Sequence, residues 1–322
     1  MFVNEPAIMK LLELPSSSGK YADEVVAAYK KVKSSDILGL LDKFIDADPK
    51  VIERYTQILN NVSGFSDKLL LVIKNADNKT ALKIADVASE YGEIVVDAVN
   101  KCDCDSIYKI THFIAESGVS NKVAHELFEA LSKHGDTLFK AVEKCGIKNI
   151  ENIVDILSKI NPNQVDDVLD LLVRHGDDMV RAIKNCGTDK IDLIFELAGT
   201  SKKVGWSDVL AIERMPDKIV WLEEGLDDAQ ALAKYGKKDS GRGFRHILED
   251  HEADFLRQGI SQNEIPDAIM QALRENNVID NQGRTRLVYF TNYKGRDYAI
   301  AIEIGSNGYI VGANPTKIKK VG

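Results

Sequence analysis

The chain has 322 residues, 44% of them hydrophobic and 29% charged, which is an ordinary globular composition spread over more chain than one domain usually holds, so two or more folding units are expected. No stretch approaches the roughly 18 consecutive apolar residues that a membrane-spanning helix needs, and no span is assigned. The formal net charge of -8 argues against a general nucleic-acid coat, because phosphate binding draws on Lys and Arg.

Residues 1–21 carry a Ser-Ser-Ser-Gly run at 16–19 but no basic-then-apolar signal layout, so nothing here directs secretion by itself. Further along, the pairs Gly92-Glu93, Gly135-Asp136 and Gly176-Asp177 recur at a period near 40 residues, and each Gly is followed ten residues on by a cysteine, Cys102, Cys145 or Cys186. Such recurrence predicts a stacked helical repeat over residues 1–235, clearest over 65–225. Degenerate copies are read at Pro216-Asp217 and at Ser66-Asp67 with Ala76. Each Gly is expected to end a helix as its left-handed cap, with the following acid in the first turn of the next helix, where the dipole favours it.

After each cap, Leu138, Val142 and Cys145, or Met179, Ile183 and Cys186, recur at spacings of three and four, one buried stripe with a small last member. The cysteines are therefore read as core residues, and Cys102-x-Cys104 lacks the second pair that a zinc site needs. Second helices are expected at 150–160 and 191–197, and a third at 165–174. His134 and His175 share one position near a helix C-terminus, where the dipole suits them, and His112 and His125 are isolated on helical patterns.

A polar, glycine-bearing segment at 236–243 reads as a domain junction. Beyond it come helices at 244–255 and 262–276, then runs rich in Val, Ile, Tyr and Phe at 285–291, 297–304 and 309–313, separated by Asn/Gly connectors that signal hairpins. The fold class expected is thus multi-domain: an all-α helical repeat array, a linker at 236–243, and at 244–322 a small α+β domain with two helices on a three- to four-stranded antiparallel sheet. Residues 241–322 hold 11 Lys and Arg against 10 Asp and Glu, and 281–322 alone hold 7 against 2. A basic strand region beside an acidic helical one points to a phosphate-facing cleft.

His246 and His251 fall five apart on the first helix of this domain, a separation that puts the two rings on different faces and disfavours a zinc pair. His246 is the better catalytic candidate because it follows the Gly241-Arg242-Gly243 loop, although either ring taken alone reads equally well as a packing histidine. Arg284 and Arg286, two apart, are expected on one strand face, where two guanidinium groups hold one phosphate; a solvated or edge-guarding strand face is the plainer reading of either alone. With Tyr289 and Thr316 they complete a set suited to RNA cleavage by its own 2'-hydroxyl: an imidazole to move the proton, cations for the phosphorane, hydroxyls to orient. Arg242, Lys317 and Lys319 are assigned to substrate binding. No metal-binding carboxylate cluster is read, so no metal ligand and no cofactor is assigned.

The stretch Gly243-Phe244-Arg245-His246-Ile247-Leu248-Glu249-Asp250-His251, then Gly283-Arg284-Thr285-Arg286-Leu287-Val288-Tyr289, Tyr298-Ala299-Ile300-Ala301-Ile302 and the closing Ala313-Asn314-Pro315-Thr316 resembles the barnase/EndoU/colicin/RelE-like nucleases at the C-termini of bacterial polymorphic and contact-dependent inhibition toxins and some phage head-associated proteins. The resemblance covers about a quarter of the chain. It departs from the pattern at Asp250, where relatives often carry a basic residue before the position of His251. It implies that His246, Arg284 or Arg286, and Thr316 do the cutting, with Tyr289 as an auxiliary. It also implies a metal-independent RNA endonuclease acting on tRNA or another structured RNA and leaving a 2',3'-cyclic phosphate and a 5'-hydroxyl. A cognate immunity protein and a larger exported carrier are the partners it implies, with delivery from the cell surface or by secretion and action in the target-cell cytoplasm; the helical region then serves delivery or docking. A non-enzymatic helical scaffold and a deoxyribonuclease needing a divalent ion are the rival readings.

Overall fold

The computed structural model describes residues 76–237 and 240–318. These divide into two units: the described residues up to Ser158 together with Asn163–Gly176, and Lys159–Pro162 together with the described residues from Asp177 onward. The division falls upstream of the junction expected at 236–243. Among the described residues, no helix is long and apolar enough to cross a membrane.

The first unit is helical. Helix α1 (Asn78–Lys101) starts on the Asp77 carboxylate, which accepts from the amides of Lys79 and Thr80, and α2 (Cys104–Ser117) starts on Asp103 in the same way and ends on left-handed Gly118. Side-chain oxygens at these positions satisfy amides that the first turn leaves without a partner. Helix α3 (Asn121–Cys145) is broken at Gly135, with φ 53° and ψ -133°. A 3-10 turn, Ile147–Asn149, leads to α4 (Ile150–Lys159), and α5 (Val165–His175) ends at Gly176, with φ 61° and ψ -137°.

Gly135 and Gly176 therefore share one conformation, but it is not the left-handed cap expected. Their φ is positive with a strongly negative ψ, a region that only glycine enters without strain. The surroundings explain the choice, since a Cβ at Gly176 would stand 3.1 Å from the Lys144 carbonyl oxygen, and one at Gly135 would stand 3.5 Å from that of Lys101. At the third aligned position the expectation fails differently: α1 kinks at Tyr91 (φ -131°, ψ 27°), and Gly92 is absent from the glycines with positive φ. Replacing Gly176 by alanine should cost about 1–3 kcal/mol, the usual range for a non-glycine residue forced into such a region; thermal unfolding of the variant checks this, and an unchanged midpoint would contradict it.

Cys102 and Cys145 are buried, as read from the stripe, and burial pushes the Cys186 thiol up to about 12. His134 Nδ1 lies 2.9 Å from the Asp166 carboxylate, and His112 Nδ1 lies 3.3 Å from Asp77. The pair Ser66-Asp67 lies outside the described residues.

The second unit opens with α6 (Asp177–Cys186), a 3-10 turn at Thr188–Lys190 and α7 (Ile191–Ala198). An antiparallel hairpin follows, β1 (Val209–Arg214) with β2 (Ile219–Glu223). Pro216-Asp217, read above as a degenerate repeat copy, is the turn of this hairpin, closed by the Met215 amide on the Lys218 carbonyl. Then come α8 (Asp228–Tyr235), α9 (Phe244–Arg257) and α10 (Ile265–Glu275). The chain ends in a four-stranded antiparallel meander: β3 (Asn277–Gln282), β4 (Arg286–Tyr293), β5 (Arg296–Ile304) and β6 (Ile310–Thr316), in that spatial order. The β4–β5 connection turns on Lys294 and Gly295, both with positive φ, which matches the twist of the paired strands.

Alternation along the strands sorts the sheet into two faces. Tyr289, Tyr293, Tyr298, Ile300, Ile302 and Ala313 point into the core with Ile247 and Phe255 of α9 and Ile265, Ile269 and Leu273 of α10. Val288, Ala299 and Ala301 form a separate buried cluster on the other face. The larger core also takes in Ala211, Met215, Val220 and Leu222 of the first hairpin. Residues 244–322 thus share their core with residues upstream of 236.

Candidate active site

Three backbone bonds fix the start of α9. The Gly243 amide donates to the Val311 carbonyl at 2.8 Å, the Arg245 amide to the Glu224 carbonyl at 2.8 Å, and Arg242 exchanges both of its backbone bonds with Leu226. Gly243 is required here: its φ is +78°, and a Cβ would stand 2.5 Å from the Tyr309 hydroxyl and 2.8 Å from the Glu223 carbonyl oxygen. The helix consequently begins against the outer edge of β6, and its first turn carries His246 across that edge.

The two ring nitrogens of His246 meet different surroundings. Nδ1 lies 3.6 Å from Asp250 Oδ2 and 4.0 Å from Asp228 Oδ1, and it is buried without a hydrogen-bond partner. On the other side, Nε2 lies 3.8 Å from the point where a Cβ on Gly312 would sit, and Arg286 Nη2 lies 3.3 Å from that same point. A glycine in β6 thus leaves open the ground that the imidazole and the guanidinium share. Arg286 is held from behind: Nε donates to Glu303 at 3.3 Å and Nη1 to Asn314 Oδ1 at 3.0 Å. Among the described residues Nη2 donates to none, so it is the part of the fork left for a ligand.

Cross-strand register explains this cluster. Arg286 stands opposite Glu303, and Glu303 opposite Gly312, so residues of three strands meet on the sheet face that lacks the α9–α10 core. The Asp250 and Asp228 carboxylates stand behind Nδ1 at 3.6 and 4.0 Å, so they place negative charge beside the ring without bonding to it. An unprotonated nitrogen facing a cation across a small gap can take a proton from a hydroxyl while the cation stabilises the oxyanion that results.

The other sequence candidates fall elsewhere. Arg284 sits in the β3–β4 turn, exposed, and does not share a strand face with Arg286. Tyr289 is 1% exposed in the core on the opposite side of the sheet, because three residues along a strand reverse the face; burial pushes its hydroxyl up. Thr316 lies on the same face as Gly312 but four residues further along β6, roughly 13 Å by strand rise, and Asn314 is the β6 side chain that reaches Arg286. His251 turns away and pairs with Asp254 at 3.4 Å. Arg242 donates to the Tyr235 hydroxyl and lies 4.6 Å over its ring. Lys317 follows β6 in an irregular segment, and Lys319 lies outside the described residues.

Sequence reasoning missed the acids. Asp228, His246 and Glu249 present ligand atoms within 4.8 Å of one another and are the residues that could hold a metal ion, which corrects the expectation that no such carboxylate set exists. Both carboxylates already serve the backbone: Asp228 Oδ1 accepts from the Gly241 amide at 2.6 Å, and Glu249 Oε2 from the Asp228 amide at 2.8 Å. Glu249 and Asp250, three and four residues after His246, share its helix face, and that spacing was visible in the sequence. No protein-family model matches the chain, and no curated protein matches it either.

Proposed function

We propose that the second unit is an endoribonuclease that cuts RNA through the substrate's own 2'-hydroxyl, without a metal. The observation that supports this reading is the approach of His246 Nε2 and Arg286 Nη2 to one point above Gly312. In the proposed step His246 Nε2 takes the 2'-hydroxyl proton, the 2'-oxygen forms a bond to phosphorus, and the bond from phosphorus to the 5'-oxygen breaks. Arg286 stabilises the charge on the phosphorane, and the departing 5'-oxygen takes a proton from solvent. The products are a 2',3'-cyclic phosphate and a 5'-hydroxyl. Asp228 and Asp250 place negative charge behind the ring, while Glu303 and Asn314 orient the guanidinium. Thr316 and Arg284 act, in this reading, on flanking phosphates rather than on the scissile one.

The resemblance of the tail to toxin nucleases supports the rest of the reading: tRNA or another structured RNA as substrate, a cognate immunity protein as partner, and export on a larger carrier to act in the cytoplasm of a target cell. The helical region would then be a repeat array for delivery or docking, a reading supported by the shared conformation of Gly135 and Gly176 and the carbonyl each one faces. The same feature favours the rival reading of the helices as a non-enzymatic scaffold, since repeats of this kind make extended surfaces for protein partners. The test is to incubate the full chain with total tRNA in EDTA. Cut RNA with cyclic-phosphate ends is the expected result; intact RNA in EDTA that is cut on adding a divalent ion would instead assign the acids around His246 to a metal route.

A further inference from the structure

Beside the His246 site lies a cleft of about 410 Å³, lined among others by Lys203, Glu223, Lys234, Tyr235, Arg242 and Tyr309. Its size falls in the range of small-ligand pockets. Three of these side chains are cations, and no carboxylate of the described residues forms an ion pair with Lys203, Lys234 or Arg242. Arg242 and Lys234 are instead gathered over the Tyr235 ring, at 4.6 and 5.5 Å from its centre. Cations that no carboxylate pairs directly can receive an anion.

The remaining wall narrows the choice. Asp208 and Glu223 also line the cleft, and Glu223 Oε1 is engaged by the Gly205 amide and the Trp221 indole, both at 2.9 Å. A ligand that is negative throughout, such as a bare polyphosphate, would meet these acids. A nucleotide does not have that difficulty: its phosphate suits the lysines and the arginine, and its base and sugar donors suit the carboxylates. Tyr309 adds its ring to the wall, its hydroxyl being buried where a Cβ on Gly243 would come within 2.5 Å of it. Position completes the case. Val311, which lines the cleft, immediately precedes Gly312, the residue above which His246 Nε2 and Arg286 Nη2 meet.

We propose that this cleft is a nucleotide subsite, which takes the phosphate and base of the residue adjoining the scissile bond; the inference rests on the ribonuclease reading for what the neighbouring site does. The probe that tests it is a 2'-O-methylated trinucleotide, which lacks the attacking hydroxyl and so measures binding without cleavage. Titrated calorimetrically into the full chain, it should bind the wild type. Arg242→Ala and Lys234→Ala should each weaken binding about tenfold, within the range that loss of a charged contact produces. Lys234 and Arg242 are exposed, so the variants should fold, and their melting curves verify it. No binding by the wild type, or equal binding by wild type and cleft variants, overturns the subsite. If the cleft variants bind equally while RNA is still cut, the subsite falls and the ribonuclease stands. If they bind weakly while RNA is never cut, the subsite stands and the ribonuclease falls.

Discussion

His246→Ala should lower the rate of RNA cleavage by on the order of 10² to 10⁴, the range for loss of a positioned general base. The loss should appear with the protein still folded. His246 is 14% exposed and its Nδ1 makes no hydrogen bond, so the substitution breaks no satisfied polar contact. It also leaves the backbone bonds of Gly243 and Arg245 that seat α9. The reduction therefore belongs to kcat at unchanged melting temperature. An active alanine variant would show that the imidazole only packs, and an inactive but unfolded one would be distinguished by its circular dichroism.

The second large effect is on stability. Glu213 of β1 is 4% exposed and binds the Arg274 guanidinium of α10 and the Lys190 ammonium, the latter at 3.0 Å. Burial alone would push this carboxyl up, but the hydrogen bonds from Arg274, from the Arg214 amide and from Lys190 outweigh it and hold the group below the usual carboxylate range. Arg274→Met strips the principal partner from a buried charge, which costs about 3 kcal/mol, the low end for such a break because Lys190 remains. Urea unfolding at neutral pH measures the loss, and a variant as stable as the wild type would refute it. The pH dependence has a definite sign. A carboxyl whose folded pKa is depressed gives stability that is present above its unfolded value of about 4.5 and is lost as pH falls through the folded value. Acidification below that range should destabilise the wild type more steeply than Arg274→Met.

Much of this fold could be read from periodicity, and the failures have physical causes. The helices at 150–159, 165–175 and 191–198 follow spacings of three and four, and the final meander follows alternation between Asn/Gly turns. The β1–β2 hairpin did not show itself because its strands are buried on nearly every side, giving short continuous apolar runs that periodicity does not distinguish from a helix. Its turn, Pro216-Asp217, then passed for one more Gly-acid step. The glycines were read rightly as special and wrongly as left-handed caps, because the carbonyl that approaches Gly176 belongs to Lys144, some thirty residues earlier.

The site divides in the same way. His246 and Arg286 were picked out because an imidazole after a glycine loop and an arginine on a strand are local signals. Glu303 and Asn314 were not, because cross-strand register brings them to Arg286 and a single sequence does not print register. Tyr289 was misplaced by parity, since it stands three residues from Arg286 and so faces the core. Asp228 was missed because residues up to 235 were counted with the helical array and no motif was read there, although Asp227 caps α8 with Gln230 in a reciprocal capping box. Polar residues near Gly236 and Gly243 disguised a segment whose backbone bonds seat α9.

In the proposed step His246 and Arg286 act on one bond. Single-turnover cleavage by the wild type, His246→Ala, Arg286→Ala and the double variant tests it most directly. Groups that serve one transition state are strongly non-additive, so the double variant should be scarcely slower than the worse single one. Losses that multiply, or a full rate in either single variant, would show that the two side chains do not share a reaction.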